Sequence, residues 1–442
     1  MLRELVAIGS AIILSLIFLS LEAFRLERAR RELKWRIAVG GVRGKSSVTR
    51  LIAGALREGG IRVIARTTGS RPVVIFPDGY KEEVRRLSPP NILEGKGFLR
   101  LAKKEAAEAL VVELMAIQPE CLEAEVKKIF KPHCLLFTNF RLDHREELGR
   151  TRREVAQNLL RAAFKGVNVF LLEEQMTPEI EEILERKGAK IIKVNGYGDF
   201  SHSKGLIVSK ENELGFKASE LIRSKIKNSG PKELRANFGD DFADNIRLAL
   251  AVSRHLGLKD EVAISGMQKA TPDFGSLKIW EAAVSPGQAP GYLVSAFAAN
   301  EPESSSLVIK KLKELIPWEG KKVYGLLLLR RDRGDRTKQW CEAVAQGFLA
   351  EFDELFLCGA PQLVWRRVKR RLKEKGLTPI SRQTILLKPR IYCLNTWEVM
   401  NLTQKLSQRG KEPWILVGLG NIVGLGSRLV DLWEKEGKRI HG

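Results

Sequence analysis

The stretch IAVGGVRGKSSVTR, residues 37–50, limits most what this chain can fold into. Ile37, Ala38 and Val39 read as a short buried strand, and Gly40, Gly41 and Gly44 open a turn bare of side chains. From Val48 the apolar residues Val48, Leu51, Ile52, Ala55 and Leu56 recur at helical spacing until Gly59 and Gly60 end the run. Strand, glycine turn and helix in that order bring backbone N–H groups and a helix N-terminus to one point, where phosphate can be received. Lys45 can reach outer phosphates, and Ser46 can offer a hydroxyl to Mg²⁺. The usual eight-residue pattern wants glycine at position 39, where this chain has Val39. What remains is a shorter G-x-x-G-K-S, with Gly41, Val42, Arg43, Gly44, Lys45, Ser46 and Ser47 as candidate nucleotide contacts. Taken alone, the stretch also reads as an ordinary basic surface turn.

The surrounding pattern supports an α/β fold. Strand-like runs at 61–68, 109–114, 133–139, 167–172 and 189–194 alternate with helical patterns at 44–58, 97–108, 119–130 and 150–164. This is the order of a doubly wound sheet, which places functional groups at strand C-termini. Residues 195–235 are polar and glycine-sprinkled, with a short hairpin expected near 211–216, and helical spacing returns from Phe242. The proline- and glycine-rich stretch 268–292 begins at a domain joint. Beyond it a second alternation has strands at 293–298, 323–329, 354–358 and 414–419, with helices near 304–314, 336–350 and 425–436.

Ahead of the glycine turn, residues 5–21 carry no charge. At ~1.5 Å per helical residue the run makes about 25 Å, near the short end of a bilayer span that Ala23 and Phe24 extend. A cleaved signal peptide would have a clear basic start, but Arg3 is offset by Glu4. The arginine excess after the run favours a cytoplasmic location for the residues beyond it, in a single-pass cell-membrane protein. With 44% hydrophobic and 29% charged residues, the 442-residue chain is neither a multispan membrane protein nor disordered. The net charge of +22 attracts nucleic acid, anionic lipid or acidic small molecules alike. Its spread along the chain, without a nucleic-acid-binding motif, argues against nucleic acid. The scattered cysteines show no metal or disulfide spacing and suit small buried apolar positions.

Other candidates sit at strand ends. Glu113 closes ALVVE; as an interior carboxylate it needs a partner or a metal, and otherwise it is an exposed strand end or a salt bridge. Thr138 and Asn139 end the next strand, followed by Asp143 and His144, a plausible Mg²⁺ or phosphate neighbourhood. Asn245 opens a helix, where its amide can pair with an adenine edge or ribose, or cap the helix. The cluster after LLLL at 326–329 places Arg330, Arg331, Asp332, Arg333, Asp335 and Arg336 where they can clamp a carboxylate, hold a γ-phosphate or form a solvated turn.

Taken together these segments resemble the PgsB/CapB family, the subunit of bacterial poly-γ-glutamate synthase that is a membrane-anchored relative of the Mur and folylpolyglutamate ligases. The resemblance rests on GGVRGKSSVTR at 40–50, ARTTGS at 65–70, VVELMAIQPE at 111–120, TNFRLDH at 138–144 and DNIRLALAV at 244–252. It continues through SAFAANEPESS at 295–305, LLRRDRGDRTKQW at 328–340 and VGLGNIVG at 417–424. The short phosphate turn is the form these ligases use. The resemblance implies an α/β chain with a Mur-ligase-like P-loop ATPase domain on a doubly wound sheet, a C-terminal Rossmann-like domain, and one transmembrane helix ahead of them. The implied organisation is an anchor at 1–24, a basic juxtamembrane linker at 25–35, an ATP-binding domain at 36–270 and a C-terminal substrate and closure domain at 271–442.

By the same resemblance the chain is an ATP- and Mg²⁺-dependent ligase that polymerises glutamate through its γ-carboxylate by way of an acyl phosphate. Lys45, Glu113 and His144 carry catalysis, with the metal held through Ser46, Glu113 and His144. Gly41 to Ser47 and Asn245 bind ATP, and Asn300, Arg331, Asp332 and Arg333 bind carboxylates. The implied partners are glutamate, the growing poly-γ-glutamate chain, small integral-membrane synthase subunits and further copies in a homo-oligomer. Another Mur- or folylpolyglutamate-type ligase, or a membrane-tethered nucleotide-binding scaffold without catalysis, are the alternatives.

Overall fold

In a computed structural model of the chain, the described residues are 2–69, 71–86, 88–142, 146–194, 242–271, 275–282, 289–330, 334–359, 366–367, 370, 374, 390–409 and 412–441. The long helix α1 (Leu2–Arg31) leads into β1 (Trp35–Gly40), the glycine turn and α2 (Lys45–Glu58). Next come β2 (Val63–Arg66), β3 (Val73–Ile75), β4 (Lys81–Glu83), α3 (Glu94–Lys104), β5 (Ala109–Glu113), α4 (Pro119–Ala124) and a π-helical segment, Glu125–Phe130. The first sheet is completed by β6 (Cys134–Phe137), β7 (Asn168–Leu172) and β8 (Lys190–Val194), with α5 (Arg152–Leu160) and α6 (Pro178–Arg186) between them.

The strand order is β4-β3-β2-β5-β1-β6-β7-β8, parallel from β2 to β8 with β3 and β4 antiparallel at one edge. From β1 the chain first builds toward β2 and then crosses to β6, which makes the C-terminal end of β1 the topological switch point where open α/β sheets bind ligands. The strands read as unbroken apolar runs because both faces of a parallel sheet are covered; Ile37, Val111, Val112, Leu135 and Leu136 are fully buried. Two further helices, α7 (Phe242–His255) and α8 (Asp260–Gln268), pack on α2. Gly54 of α2 lies so near Gly266 of α8 that a Cβ on it would stand 2.4 Å from the Gly266 carbonyl oxygen.

The chain separates into two compact units, the N-terminal one reaching Thr271 and the C-terminal one formed mainly by residues 272–442. The C-terminal unit has β9 (Lys278–Glu281), β10 (Gly291–Ser295), α9 (Pro302–Leu315), β11 (Lys322–Leu328), α10 (Gly334–Ala345), β12 (Glu354–Cys358) and β13 (Arg390–Leu394). It closes with α11 (Thr396–Met400), α12 (Leu402–Gln408), β14 (Trp414–Gly420), α13 (Leu425–Glu436) and β15 (Lys438–His441). The strands from β13 through β12, β11 and β14 to β10 are parallel, and β9 and then β15 add antiparallel pairings.

Three expectations differ. The segment 25–35, expected as a linker, is helical to Arg31 because Leu26, Ala29 and Leu33 bury into the first core. The helix expected over 119–130 widens to a π-helix at Glu125, where that carboxylate turns inward to the Met115 and Ala116 N–H groups. The strands β3, β4, β9, β13 and β15 come in addition to those expected; of these the edge strands β4 (KEE) and β15 (KRIH) are largely polar and are held by pairing with β3 and β9. The expected hairpin near 211–216 lies outside the described residues. Cys134, Cys341 and Cys358 are buried as expected of small apolar residues, whereas Cys121 is half-buried and Cys393 exposed; burial pushes the Cys134 thiol up to about 12.

Residues 5–21 form an exposed part of α1, which has a window of mean hydropathy 2.3 and is long and apolar enough to cross a membrane. Its Ser10 and Ser15 hydroxyls donate to the carbonyls of Val6 and Ala11, each at 2.8 Å, so neither is left unsatisfied in an apolar setting.

Candidate active site

The glycine turn stands at the C-terminal end of β1, between the ends of β5 and β6. Gly41 (φ 104°) and Gly44 (φ 83°) hold left-handed conformations that glycine adopts without strain. At Gly41 a Cβ would lie 2.7 Å from the Thr138 backbone nitrogen, and at Gly44 one would lie 2.5 Å from Asn245 Oδ1. The turn is held to the end of β6. The Val42 N–H donates to the Asn139 carbonyl (3.2 Å) and the Arg43 N–H to Asn139 Oδ1 (3.2 Å), while Asn139 Nδ2 returns a bond to the Arg43 carbonyl (3.0 Å). Asn139 therefore fixes the turn through both ends of its amide.

Lys45 opens α2 and folds over the turn, its ammonium donating to the Gly41 carbonyl at 2.9 Å. Ser46 follows, and its hydroxyl donates to Glu113 Oε2 at 2.7 Å. The same carboxylate oxygen accepts the backbone N–H of Thr68, also at 2.7 Å, tying the loop after β2 to the site. Glu113 is buried, and these bonds offset the cost of holding a carboxylate there.

A second buried layer lies beside it. Arg66, at the end of β2, faces Glu125 at 3.9 Å and Glu94 at 3.8 Å, and Arg86 joins Glu94 at 3.0 Å. Glu125 Oε2 accepts the N–H groups of Met115 and Ala116, which anchors the chain just after Glu113. Burial holds the Glu125 carboxyl above its ordinary range against the opposing effect of those two bonds.

Asn245 is buried against Gly44 and also lines a cavity of about 500 Å³ shared with Thr138, Asn139, Gln175 and Ile180. The turn and this cavity adjoin through Asn139 and Asn245. An anion at the turn can thus continue into a larger ligand part in the cavity.

A hydroxyl and a carboxylate in contact are hard oxygen donors, the kind Mg²⁺ takes, so Ser46 and Glu113 fit that ion. The third expected ligand, His144, lies outside the described residues, and among those described no group of three or more His, Cys, Asp or Glu gathers to hold a metal.

In the C-terminal unit, the loops after β10, β11 and β14 share one sheet edge, because Ser295 pairs with Gly418 and Leu328 with Gly420. Asn300 lies in the first loop, and its carbonyl accepts Trp340 Nε1 at 3.0 Å, tying it to α10. Arg331, Asp332 and Arg333, from the second loop, lie outside the described residues. Sequence reasoning missed the bracing by Asn139, the Thr68 N–H and the inward turn of Glu125. The Thr138-Asn139 pair at a strand end was the available signal for the first.

Residues 39–252 match the family model described as Mur ligase middle domain, and residues 282–436 match the poly-gamma-glutamate synthase CapB C-terminal domain. The chain is 29% identical to the PGA synthase CapB of Bacillus subtilis (strain 168) over 414 residues, 93% of either chain. Its fold is similar to MurF from Acinetobacter baumannii (TM-score 0.60, 16% identity, covering 93% of this chain and 79% of that one). It is likewise similar to E. coli FolC in complex with DHPP and ADP (TM-score 0.58, 14% identity, covering 94% and 92%).

Proposed function

We propose, taking this CapB/Mur-ligase-like chain as an ATP-dependent amide ligase, that it joins glutamate units through their γ-carboxylates. The observation that carries the reading is the buried Glu113 carboxylate bonded to the Ser46 hydroxyl directly behind a glycine turn at the switch point of the sheet. The relationship to a PGA synthase supports the choice of glutamate.

In this reading the N–H groups of the turn and of the first turn of α2 receive the phosphates of ATP, and the adjoining cavity takes the nucleoside. A γ-carboxylate oxygen of the chain end attacks the γ-phosphorus, the bond to the bridging oxygen breaks, and ADP leaves. The amine of the next glutamate attacks the acyl carbon, loses a proton and expels phosphate, which leaves a γ-amide. Lys45 follows the transferring phosphoryl group as its charge shifts. Ser46 and Glu113, with His144 as a further proposed ligand, would hold Mg²⁺, which would supply positive charge to the phosphate oxygens. Arg331, Arg333 and Asn300 bind substrate carboxylates, with Asp332 as a further substrate contact. The deciding assay offers membranes containing the chain ATP with glutamate or with folate-glutamate. Mass spectrometry should find γ-linked glutamate chains, whereas extension of folate-glutamate alone would transfer the reading to a folate-type ligase.

The apolar stretch of α1 anchors the protein, with residues 25–442 on the cytoplasmic side. Protease added to intact cells should spare a C-terminal tag, and digestion of the tag would reverse the orientation.

A further inference from the structure

The first helix continues past the end of its apolar stretch. Its last turn belongs to the N-terminal unit: Arg30 donates to the carbonyls of Lys128 and Ile129 at 2.7 and 2.9 Å, and just beyond the helix Arg36 of β1 donates to those of Phe130 and Lys131 at 3.1 and 3.0 Å. On another side, Lys96 of α3 bonds to Glu22 at 2.7 Å. These contacts fix the height at which the apolar part of α1 gives way to α3 and the π-helix.

At that height a cavity of about 730 Å³ opens between the three elements. One wall is apolar, with Leu19 and Phe24 on α1 and Leu93 beside α3; Phe24 is 67% exposed and Leu93 53%. The other wall carries Lys96, Lys127, Lys128 and Lys131. Glu22 pairs with Lys96, Glu27 is shared between Arg30 and Lys131, and Lys127 pairs with Glu123, so the cations of this wall still outnumber the acids paired with them.

We propose that this recess binds the headgroup of an anionic phospholipid, with the acyl chains lying along Leu19 and Phe24. The inference rests on reading α1 as a membrane span. An apolar wall meeting a cationic wall at the end of a membrane-length helix complements a molecule with a tail and a phosphate. Inorganic phosphate would leave the apolar wall in water, and an apolar helix from another protein would leave the surplus positive charge of the other wall unbalanced. The bound lipid seats the N-terminal unit against the membrane surface, so its fixed angle to α1 is held from two sides.

Each lysine near an anionic surface favours association by about five-fold, so Lys127, Lys128 and Lys131 together contribute roughly 10²-fold. The test uses the full chain in phosphatidylcholine vesicles with and without phosphatidylglycerol. Flotation scores the anchor, and a water-soluble amine-acylating reagent read by mass spectrometry scores each lysine. With phosphatidylglycerol, Lys127, Lys128 and Lys131 should label several-fold more slowly relative to Lys338, and 1 M salt should abolish the difference. In the joint variant Lys127→Gln, Lys128→Gln and Lys131→Gln, flotation should persist while retention of phosphatidylglycerol on detergent extraction falls roughly 10²-fold.

Flotation with equal labelling in both vesicles overturns the proposal and leaves the anchor standing. Equal protection by inorganic phosphate in detergent, or protection confined to native membranes, overturns it in favour of a free anion or a protein partner. Failure to float removes the membrane reading and this proposal with it.

Discussion

Ser46 and Glu113 lie 67 residues apart in sequence and 2.7 Å apart in space. One lies in the first turn of the helix after β1 and the other ends β5, so adjacent parallel strands bring them together. Their contact converts a buried carboxylate, which would otherwise weaken the fold, into a polar group aimed at the phosphate turn. Glu113→Gln keeps size and an acceptor for Thr68 but removes the charge. The Mg²⁺ concentration for half-maximal ATP turnover should rise about 10–100-fold, with the melting temperature nearly unchanged. A magnesium titration of purified protein checks this, and an unaltered metal dependence would remove Glu113 from the site.

The two left-handed glycines should separate stability from binding. Gly41→Ala sets a methyl against the Thr138 backbone, which cannot turn aside, and should destabilise the protein by about 2–4 kcal/mol. Gly44→Ala meets the Asn245 side chain, which can rotate away, so about 1–2 kcal/mol is expected. That rotation disturbs the cavity wall, so nucleotide affinity should drop more than stability in Gly44→Ala. Urea unfolding and nucleotide titration of both variants provide the comparison; equal stability losses would contradict it.

His133 gives a pH signature remote from catalysis. Its Nδ1 accepts the Arg36 N–H at 3.2 Å, and burial first, then the Arg36 charge, pushes its pKa from 6.5 down to about 4. The folded value lies below the unfolded one, so the contribution to stability is present above pH 6.5 and lost as pH falls toward 4. His133→Asn retains an acceptor that does not titrate. Urea midpoints measured between pH 7.5 and 4.5 should fall more steeply in the wild type than in the variant, and parallel curves would refute the assignment.

These residues also show where sequence reading stops. β1, the turn and α2 were legible because one local run carries strand, glycines and helical spacing. Glu113 was legible because a charge after an apolar strand is anomalous. The inward turn of Glu125 was not: in EAEVKK it resembles any solvated helix face, and its burial depends on Arg66 and the Met115 loop. Asn245 was read as a base contact or a helix cap, while its position against Gly44 follows from the packing of α7 on α2. Likewise β4, KEE, has no strand signal of its own and is held by pairing with β3.

Lys45 tests the central claim most directly. A lysine over a phosphate turn that follows the transferring group acts more strongly in the transition state than on bound ATP. Lys45→Ala should therefore lower glutamate-dependent phosphate release by roughly 10²–10³, the ~3–4 kcal/mol that a catalytic donor supplies, with a smaller loss of nucleotide affinity. Phosphate release is measured on folded, detergent-extracted protein, since loss of polymer alone could reflect failed assembly. Release at the wild-type rate by Lys45→Ala would contradict the ligase mechanism at its first step.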